Sequence, residues 1–398
     1  MLDKKPSVLI LSLVPFLMVL GNSMLIPEFP AIKEALKIDQ FQVGLLITFF
    51  SAAAALAIPF LGYLSDRIGR KIIIVPALLL YGLGGAASGF AAILLENPYG
   101  YILAGRVVQG LGAAGTAPLA MTLAGDLLPD GERSWGMGTL EAGNGIGKVF
   151  SPIIGSAVAL IIWYALFFSY AILSIPVALL IWFLVQEKQG EDQGVPFKKY
   201  ISDMKDIFDK KGVSLLLTFG GGLVILFILF GVLSYTSDIL VSTFKLKGII
   251  KGLVLSIPLL TMSILAYLSG LYLKRKGRNF KLFFLLGLVI AAVAMGILPF
   301  CNRSLIVYPL VLAVLGFGSG MMLPAVNTMV TSSTKSSRRG GVTSLYGSIR
   351  FLGVALGPPT FSLLFKGGVY LMFFSGGVLA LLAGITGFLF INEDSLLK

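Results

Sequence analysis

The sequence consists of long apolar runs separated by short polar connections. Each run is long enough to cross the hydrocarbon core of a bilayer as one helix. The twelve runs cover approximately residues 8–27, 41–63, 71–93, 101–124, 136–160, 162–185, 213–237, 249–273, 280–299, 305–328, 341–364 and 369–391. The pattern therefore predicts an all-α membrane protein with twelve transmembrane helices.

Basic residues are distributed unevenly between the two sides that twelve spans define. Of the 31 Lys and Arg residues, 21 fall in segments that share a side with both termini, and 7 fall in the opposite loops. Because cytoplasmic loops carry the excess of Lys and Arg, we expect both termini to be cytoplasmic and the protein to lie in the cell membrane. No small-residue cleavage site follows the first run, which is therefore expected to be retained as a span.

The longest polar segment lies between the sixth and seventh runs. Apolar residues recur there at helical spacing, at Phe197, Ile201, Met204 and Phe208. This spacing predicts a short amphipathic helix on the inner membrane surface. The predicted domains are a six-helix bundle over residues 1–185, a cytoplasmic linker over 186–211 and a second six-helix bundle over 212–398.

The two halves of the chain resemble each other. The segment 62–70 reads Gly-x-x-x-Asp-Arg-x-Gly-Arg, and 270–278 reads Gly-x-x-x-Lys-Arg-x-Gly-Arg, an offset of 208 residues. The Gly-x-Gly at 110–112 recurs at 316–318, an offset of 206. This nearly constant offset predicts a parallel duplication and hence two pseudo-symmetric bundles.

The connection between the second and third runs carries the most specific pattern, Gly-x-x-x-Asp-Arg-x-Gly-Arg-Lys over residues 62–71. One interpretation is an ordinary cytoplasmic loop rich in bases. The pattern also resembles the loop signature of the major facilitator superfamily of secondary transporters, with matching residues Gly62, Asp66, Arg67, Gly69, Arg70 and Lys71. This resemblance implies alternating access, with a substrate bound between two homologous bundles near the midplane.

Acidic residues near this loop resemble the gating cluster of that family, whose members hold the inner ends of helices together in the outward-open state. The resemblance assigns this role to Asp66, Arg70, Asp126 and Glu132. It also implies that Asp66 meets the N-terminus of the eleventh span, where the helix dipole favours an anion. Because Lys274 replaces the acid in the second half, only the first half is expected to contain such a gating cluster.

Arg106 lies inside the fourth run, in the sequence Gly-Arg-Val-Val-Gln-Gly-Leu-Gly. A guanidinium in the membrane is costly unless it faces a cavity or a partner. One alternative is that its side chain extends back to the outer surface. The arrangement resembles the second motif of the family, whose arginine is tied to proton transfer in proton-driven drug exporters.

The fifth run has one polar face, and the spacing of three and four residues places its members together. The members are Glu141, Asn144 and Lys148. They form either a substrate or proton site or a structural ion pair with another span. Arg350, in the eleventh run, corresponds to Asn144 under the 206-residue offset. Two cations inside the membrane suggest an anionic or zwitterionic group on the substrate.

The same run has a second face of small residues at four-residue intervals. Its members are Gly143, Gly147, Ser151 and Gly155. Small residues allow helices to pack closely in lipid, so this face is predicted to contact another helix. Together with Pro152, it resembles the third family motif, found mainly in antiporters, although Ser151 stands where that motif usually has glycine.

The first run ends in Pro27-Glu28-Phe29-Pro30. This ending resembles the drug-exporter branch of the family, which usually has an apolar residue at the position of Glu28. Glu28 is therefore either a proton carrier in the outer vestibule or an interfacial acid.

Composition excludes several classes of protein. The chain is 57% hydrophobic and 13% charged, against about a quarter charged in soluble domains. The net charge of +12 resides in short loops, so nucleic acid is not an expected partner. The absence of histidine excludes His-ligated zinc and Ser-His or Cys-His catalysis, and neither metal nor cofactor is expected.

These observations favour a monomeric secondary transporter whose partners are the bilayer, protons and a small-molecule substrate. The predicted function is proton-coupled export of amphiphilic small molecules, as in multidrug efflux. The alternative is a dedicated exporter or flippase for one endogenous product, such as a siderophore, glycolipid or metabolite. A membrane-embedded enzyme is a remote alternative, because the runs contain no pair of aspartates and no histidine.

Overall fold

The computed structural model describes residues 4–129, 132–187, 197–301, 303–334 and 336–397. Regular structure in this part of the chain is helical, which confirms the predicted fold class. The helices are α1 Lys5–Ser23, α2 Phe29–Leu36, α3 Gln40–Ile68, α4 Arg70–Leu94, α5 Tyr99–Ala114, α6 Ala117–Leu127, α7 Arg133–Val158, α8 Ala165–Leu184, α9 Phe197–Ser242, α10 Ile249–Lys276, α11 Phe280–Cys301, α12 Val307–Ser332, α13 Ser336–Lys366, α14 Val369–Phe390 and α15 Glu393–Leu396. A 3₁₀ turn, Ile26–Glu28, separates α1 from α2.

Eleven helical segments in the described residues are long and apolar enough to span a membrane. Helix α7 supplies the twelfth predicted span. It has 26 residues and is therefore about 39 Å long. The polar face of α7 lowers the mean hydropathy of the helix but leaves it long enough to cross a bilayer. A criterion based on hydropathy therefore does not recognise α7 as a span.

The chain divides into two compact units, Met1–Gly194 with Gly248–Gly252, and Val195–Lys247 with Leu253–Lys398. In the first unit, α1 packs against α7, and α4 packs against α5 and α8. In the second unit, α9 packs against α13, and α11 packs against α12 and α14. The two units therefore repeat one arrangement of helices in the same chain order.

Glycine contacts repeat in both units as well. At four of these glycines a side chain would collide with a backbone carbonyl of the neighbouring helix. The pairs are Gly110 with Phe50 and Gly147 with Phe16 in the first unit, and Gly316 with Pro258 and Gly353 with Leu223 in the second. Corresponding residues are separated by 206 to 208 positions, so the predicted pseudo-symmetry is confirmed.

The predicted connection over residues 62–71 is shorter in the structure. Helix α3 continues to Ile68 and α4 begins at Arg70, so Gly69 alone joins them. Gly69 has φ +100°, a backbone conformation that strains a residue with a side chain. The glycine in the sequence pattern is therefore required for the reversal of the chain.

The amphipathic segment of the predicted linker is not a separate helix. It forms the first turns of α9, which is continuous over 46 residues and therefore about 69 Å long, longer than a bilayer is thick. Met204 and Ile207 are buried, and Nζ of Lys211 donates to the carbonyl of Ser333 at 2.8 Å. These contacts attach the segment to the second unit. Residues 188–196 of the linker lie outside the described residues.

Candidate functional site

Arg106 lies in the interior of the first unit with no exposed surface. Its Nε donates to the carbonyl of Leu46 in α3 at 3.0 Å. Its two terminal nitrogens donate to Gln109 Oε1 at 2.6 Å, to the carbonyl of Gly21 at 2.7 Å and to Asn22 Oδ1 at 2.9 Å. The guanidinium therefore connects α5 to α1 and α3.

The surroundings of Arg106 are neutral and aromatic. All four acceptors are amide oxygens, and the guanidinium carbon lies 4.4 Å from the ring centre of Phe50 and 6.0 Å from that of Tyr170. Arg106 does not extend to the outer surface, and no face of it is open to a passage in this conformation. It holds three helices together, and its role in proton transfer remains a prediction.

Helix α7 separates small residues from polar ones as its sequence pattern predicts. Side chains at Gly143, Gly147 or Gly155 would collide with carbonyls of Ser12, Phe16 and Met24, which lie on or just after α1. Ser151 and Pro152 are buried on this side. On the other side, Glu141 is exposed, and Asn144 and Lys148 are half-buried. The polar groups thus remain outside the α1–α7 contact.

Glu28 forms an ion pair with Lys251 that the sequence analysis did not identify. Nζ of Lys251 lies 2.9 Å from Oε1 and 3.0 Å from Oε2 of Glu28. Glu28 is in the 3₁₀ turn after α1, and Lys251 is in the first turn of α10, within the segment that belongs to the first unit. The two residues are 223 positions apart.

Sequence reasoning assigned Lys251 to the basic residues of an outer loop. The missed signal is its position two residues inside the apolar run 249–273. A lysine at this depth either extends its ammonium to the membrane interface or pairs with an acidic side chain. The structure shows that the acidic partner is Glu28. Glu28 is 4% exposed and has a buried cationic partner, and its role as a proton carrier remains a prediction.

Charged residues cluster around the α3–α4 connection. Arg70 pairs with Asp66 at 3.4 Å and with Asp126. The carboxylate of Glu187 accepts hydrogen bonds from the backbone N–H groups of Arg70 and Lys71, each at 2.9 Å. Glu187 thus caps the N-terminus of α4, where the helix dipole favours an anion.

Two further charged residues were predicted to belong to this cluster. Arg67 lies over the ring of Tyr63 at 5.1 Å, and the half-buried Glu132 immediately precedes α7. Glu187 was not predicted, although its counterpart in the second unit provides a signal. Glu393, 206 residues later, accepts hydrogen bonds from the backbone N–H groups of Phe280 and Lys281 at 3.2 and 3.1 Å.

Arg350 occupies α13 in the second unit and is half-buried. Its guanidinium carbon lies 5.5 Å from the ring centre of Tyr346. The hydroxyl of Tyr346 is buried and has no hydrogen-bond partner among the described residues. Arg350 and Tyr346 therefore present a cation and a free hydroxyl on one helix.

The family model described as Major Facilitator Superfamily matches residues 11–358 and 281–396. This chain belongs to the Major Facilitator Superfamily. It is 40% identical over 369 residues to the bacillibactin exporter of Bacillus subtilis strain 168, covering 92% of each chain. It is 24% identical over 360 residues to the class B tetracycline resistance protein of Escherichia coli, covering 87% of this chain and 85% of that protein.

A solved structure has the same fold. The bacterial homologue of the human lysosomal transporter Spinster, in an inward-facing and unoccupied conformation, matches with a TM-score of 0.81 and 17% identity, over all of this chain and 98% of that one. Membership of the superfamily confirms the resemblance carried by residues 62–71. The protein is a multi-pass membrane transporter.

Proposed function

We propose that this transporter exports amphiphilic small molecules across the plasma membrane in exchange for protons. The observation that carries the proposal is its 40% identity to an exporter over 92% of both chains. Similarity to tetracycline and multidrug resistance proteins, at 24% and 27% identity, supports the same direction of transport. The proposed protein is a monomer in the plasma membrane, and the excess of basic residues in the segments that share a side with both termini supports cytoplasmic termini.

Charged groups inside the spans provide the chemistry that proton coupling requires. The chain has no histidine, so protons inside the membrane are carried by carboxylates. Glu28 is buried at the end of the first span, and Glu141 lies on the polar face of α7. Lys148 on the same face and Arg350 on α13 are suited to an anionic or zwitterionic group of the substrate.

A second candidate function is the export of one endogenous product. It is favoured by the difference between 40% identity to the bacillibactin exporter and 24 to 27% identity to drug and tetracycline resistance proteins. A dedicated exporter would release its product from cells and leave drug susceptibility unchanged.

The two candidates are separated by a deletion strain complemented with the wild-type gene or with an empty vector. Susceptibility to a panel of amphiphilic drugs and the amounts of secreted products, bacillibactin included, are measured in parallel. Loss of resistance across unrelated drugs supports multidrug efflux, and loss of one secreted product with unchanged resistance supports the dedicated exporter.

Transport itself is measured in liposomes containing the purified protein, with a pH gradient imposed in either direction. Uptake of bacillibactin or of a fluorescent amphiphile that rises when the gradient favours proton counterflow supports the proposal. If transport of every compound that the protein moves is insensitive to both gradients, proton coupling is wrong.

A further inference from the structure

The Glu28–Lys251 pair is unusual because both members are more than nine-tenths buried. Glu28 is 4% exposed and Lys251 is 7% exposed. The ammonium lies within 3.0 Å of both carboxylate oxygens, so the contact uses the whole carboxylate. Two charges removed from water in this way depend on each other, since either one alone is left uncompensated in a dry site.

Lys251 is not placed to stabilise its own helix. Lys251 is the third residue of α10, where the positive end of the helix dipole disfavours a cation. Glu28 is the N-cap residue of α2, where the helix dipole favours an anion, but its side chain makes no capping hydrogen bond. A buried ion pair is in general weak support for stability, since apolar residues of similar size often serve as well. The pairing therefore calls for a functional explanation.

Two glycine contacts show close packing near the pair. A side chain at Gly252 would collide with the carbonyl of Pro152, and one at Gly155 would collide with the carbonyl of Met24. The segment Gly248–Gly252 is thus seated against α7 beside the end of α1, within the first unit. From Leu253 onward the same helix belongs to the second unit.

We propose that Glu28 is the proton-binding group of this transporter and that Lys251 couples its protonation to the seating of Gly248–Gly252. The proposal rests on the proton-coupled function given above. Glu28 as a carboxylate pairs with the ammonium of Lys251. When Glu28 takes up one proton it becomes neutral, and Lys251 keeps its charge. The ammonium is then buried without a counterion, which favours release of the first turn of α10 to water.

Loss of the proton reverses the step. The carboxylate forms again, the ammonium returns to it, and the segment is seated against α7. One proton is bound and one is released in each cycle, and no other group changes its charge. Coupling arises because only one of the two protonation states stabilises the seated segment.

Other charged residues occur on the elements that pack against Glu28. They are Lys5 on α1, Lys33 and Glu34 on α2, and Arg133, Glu141 and Lys148 on α7. Glu34 and Lys247 are exposed. Glu34→Gln and Lys247→Gln are therefore matched controls for Glu28→Gln and Lys251→Gln, each removing the same charge from a nearby exposed position.

The test uses full-length protein in liposomes, with bacillibactin or the fluorescent amphiphile as the probe. Two modes are compared: transport driven by a pH gradient, and exchange of labelled for unlabelled probe without a gradient. For Glu28→Gln we expect gradient-driven transport to fall by about tenfold or more while exchange stays within about threefold of wild type, because exchange needs no net proton movement. Glu34→Gln retains both modes.

The pH profile of exchange by Lys251→Gln is a second measurement. A misfolded variant would lose activity at every pH and would not shift the profile. Without the ammonium of Lys251, protonation of Glu28 is no longer coupled to the seating of Gly248–Gly252, so the pH profile of exchange is shifted relative to wild type. Lys247→Gln leaves the profile unchanged. The charge-exchanged double variant Glu28→Lys with Lys251→Glu restores a buried pair and returns exchange toward the wild-type rate.

The outcomes distinguish the assignment of Glu28 and Lys251 from the proposed function, proton-coupled export. If wild-type transport is insensitive to the pH gradient, the proposed function fails. If wild type is gradient-driven and Glu28→Gln is driven equally well, the function stands and the assignment of Glu28 is wrong. If Glu28→Gln loses both modes, the Lys251→Gln profile decides, and an unshifted profile overturns the proposal.

Discussion

The carboxylate of Glu187 accepts a hydrogen bond from the backbone N–H of Arg70 at 2.9 Å, although the two residues are 117 positions apart. The contact joins the end of the sixth span to the start of the third, beside the pairs of Arg70 with Asp66 and Asp126. Glu393 makes the equivalent contact with Phe280 in the second unit. Each half of the transporter thus carries a carboxylate on a helix N-terminus at the equivalent position.

Replacing this carboxylate is expected to destabilise the protein. Glu187→Gln keeps the size of the side chain but removes the charge that strengthens two hydrogen bonds and complements the helix dipole, at a cost of about 1–2 kcal/mol. Glu393→Gln is expected to have the same effect in the second unit. Thermal unfolding in detergent measures both, with Glu34→Gln as the exposed control. Equal melting temperatures for Glu187→Gln and the control would contradict the capping role.

Two glycines of α7 offer a matched steric test. A side chain at Gly143 would collide with the carbonyl of Ser12, whereas at Gly138 nothing lies within 4 Å. Gly143→Ala is expected to destabilise the protein by about 1–3 kcal/mol through overpacking. Gly138→Ala is expected to be neutral or stabilising by up to about 1 kcal/mol, because alanine favours the helix. Thermal unfolding of the two variants in detergent checks the order, and the reverse order would refute the α1–α7 contact.

Arg106 is expected to tolerate no other side chain, lysine included. Its four hydrogen bonds require a planar, forked donor, and a lysine ammonium cannot reach the same acceptors in α1, α3 and α5. Arg106→Lys leaves buried carbonyls unpaired and is expected to cost about 2–4 kcal/mol. Melting in detergent is measured against Arg303→Lys, an exposed control. Wild-type stability of Arg106→Lys would show that the positive charge, and not the geometry, is what this position needs.

Asp66 is expected to affect conformation more than stability. Its carboxylate is 54% exposed and lies 3.4 Å from Arg70, and exposed pairs of this kind contribute about 0–1 kcal/mol. Asp66→Asn is nevertheless expected to shift the transporter toward an inward-open state. Labelling of single cysteines on each membrane face, in a Cys301→Ser background, reports the shift. Unchanged accessibility on both faces would reject Asp66 as a gating residue.

Lys148 and Arg350 are expected to contribute to substrate affinity. If the substrate carries a negative group, Lys148→Gln and Arg350→Gln each raise the KM for it by about tenfold, corresponding to about 1.4 kcal/mol of lost interaction. Transport of an uncharged amphiphile is then affected much less. Initial rates in liposomes measure both. Unchanged transport of every substrate by the double variant would exclude an anion-binding role.

Much of the fold follows directly from the sequence. Length and apolarity of the runs define the spans, because an unpaired backbone is not tolerated in lipid and each run must form a helix. The 206-residue offset relates Gly110 to Gly316 and Gly147 to Gly353, and the same pairs make equivalent helix contacts in the two units. Local rules also placed the small and polar residues of α7 on opposite sides.

What the sequence could not supply is which distant residues meet. Nothing local indicates that Glu28 pairs with Lys251, that Glu187 caps α4, or that Arg106 is enclosed by oxygens of α1 and α3. The sequence also does not show that the amphipathic segment continues into α9 without a break. Helical periodicity defines the faces of one helix. Which residues on different helices contact each other depends on how the helices pack together. The partners of buried charges were therefore determined by tertiary packing alone.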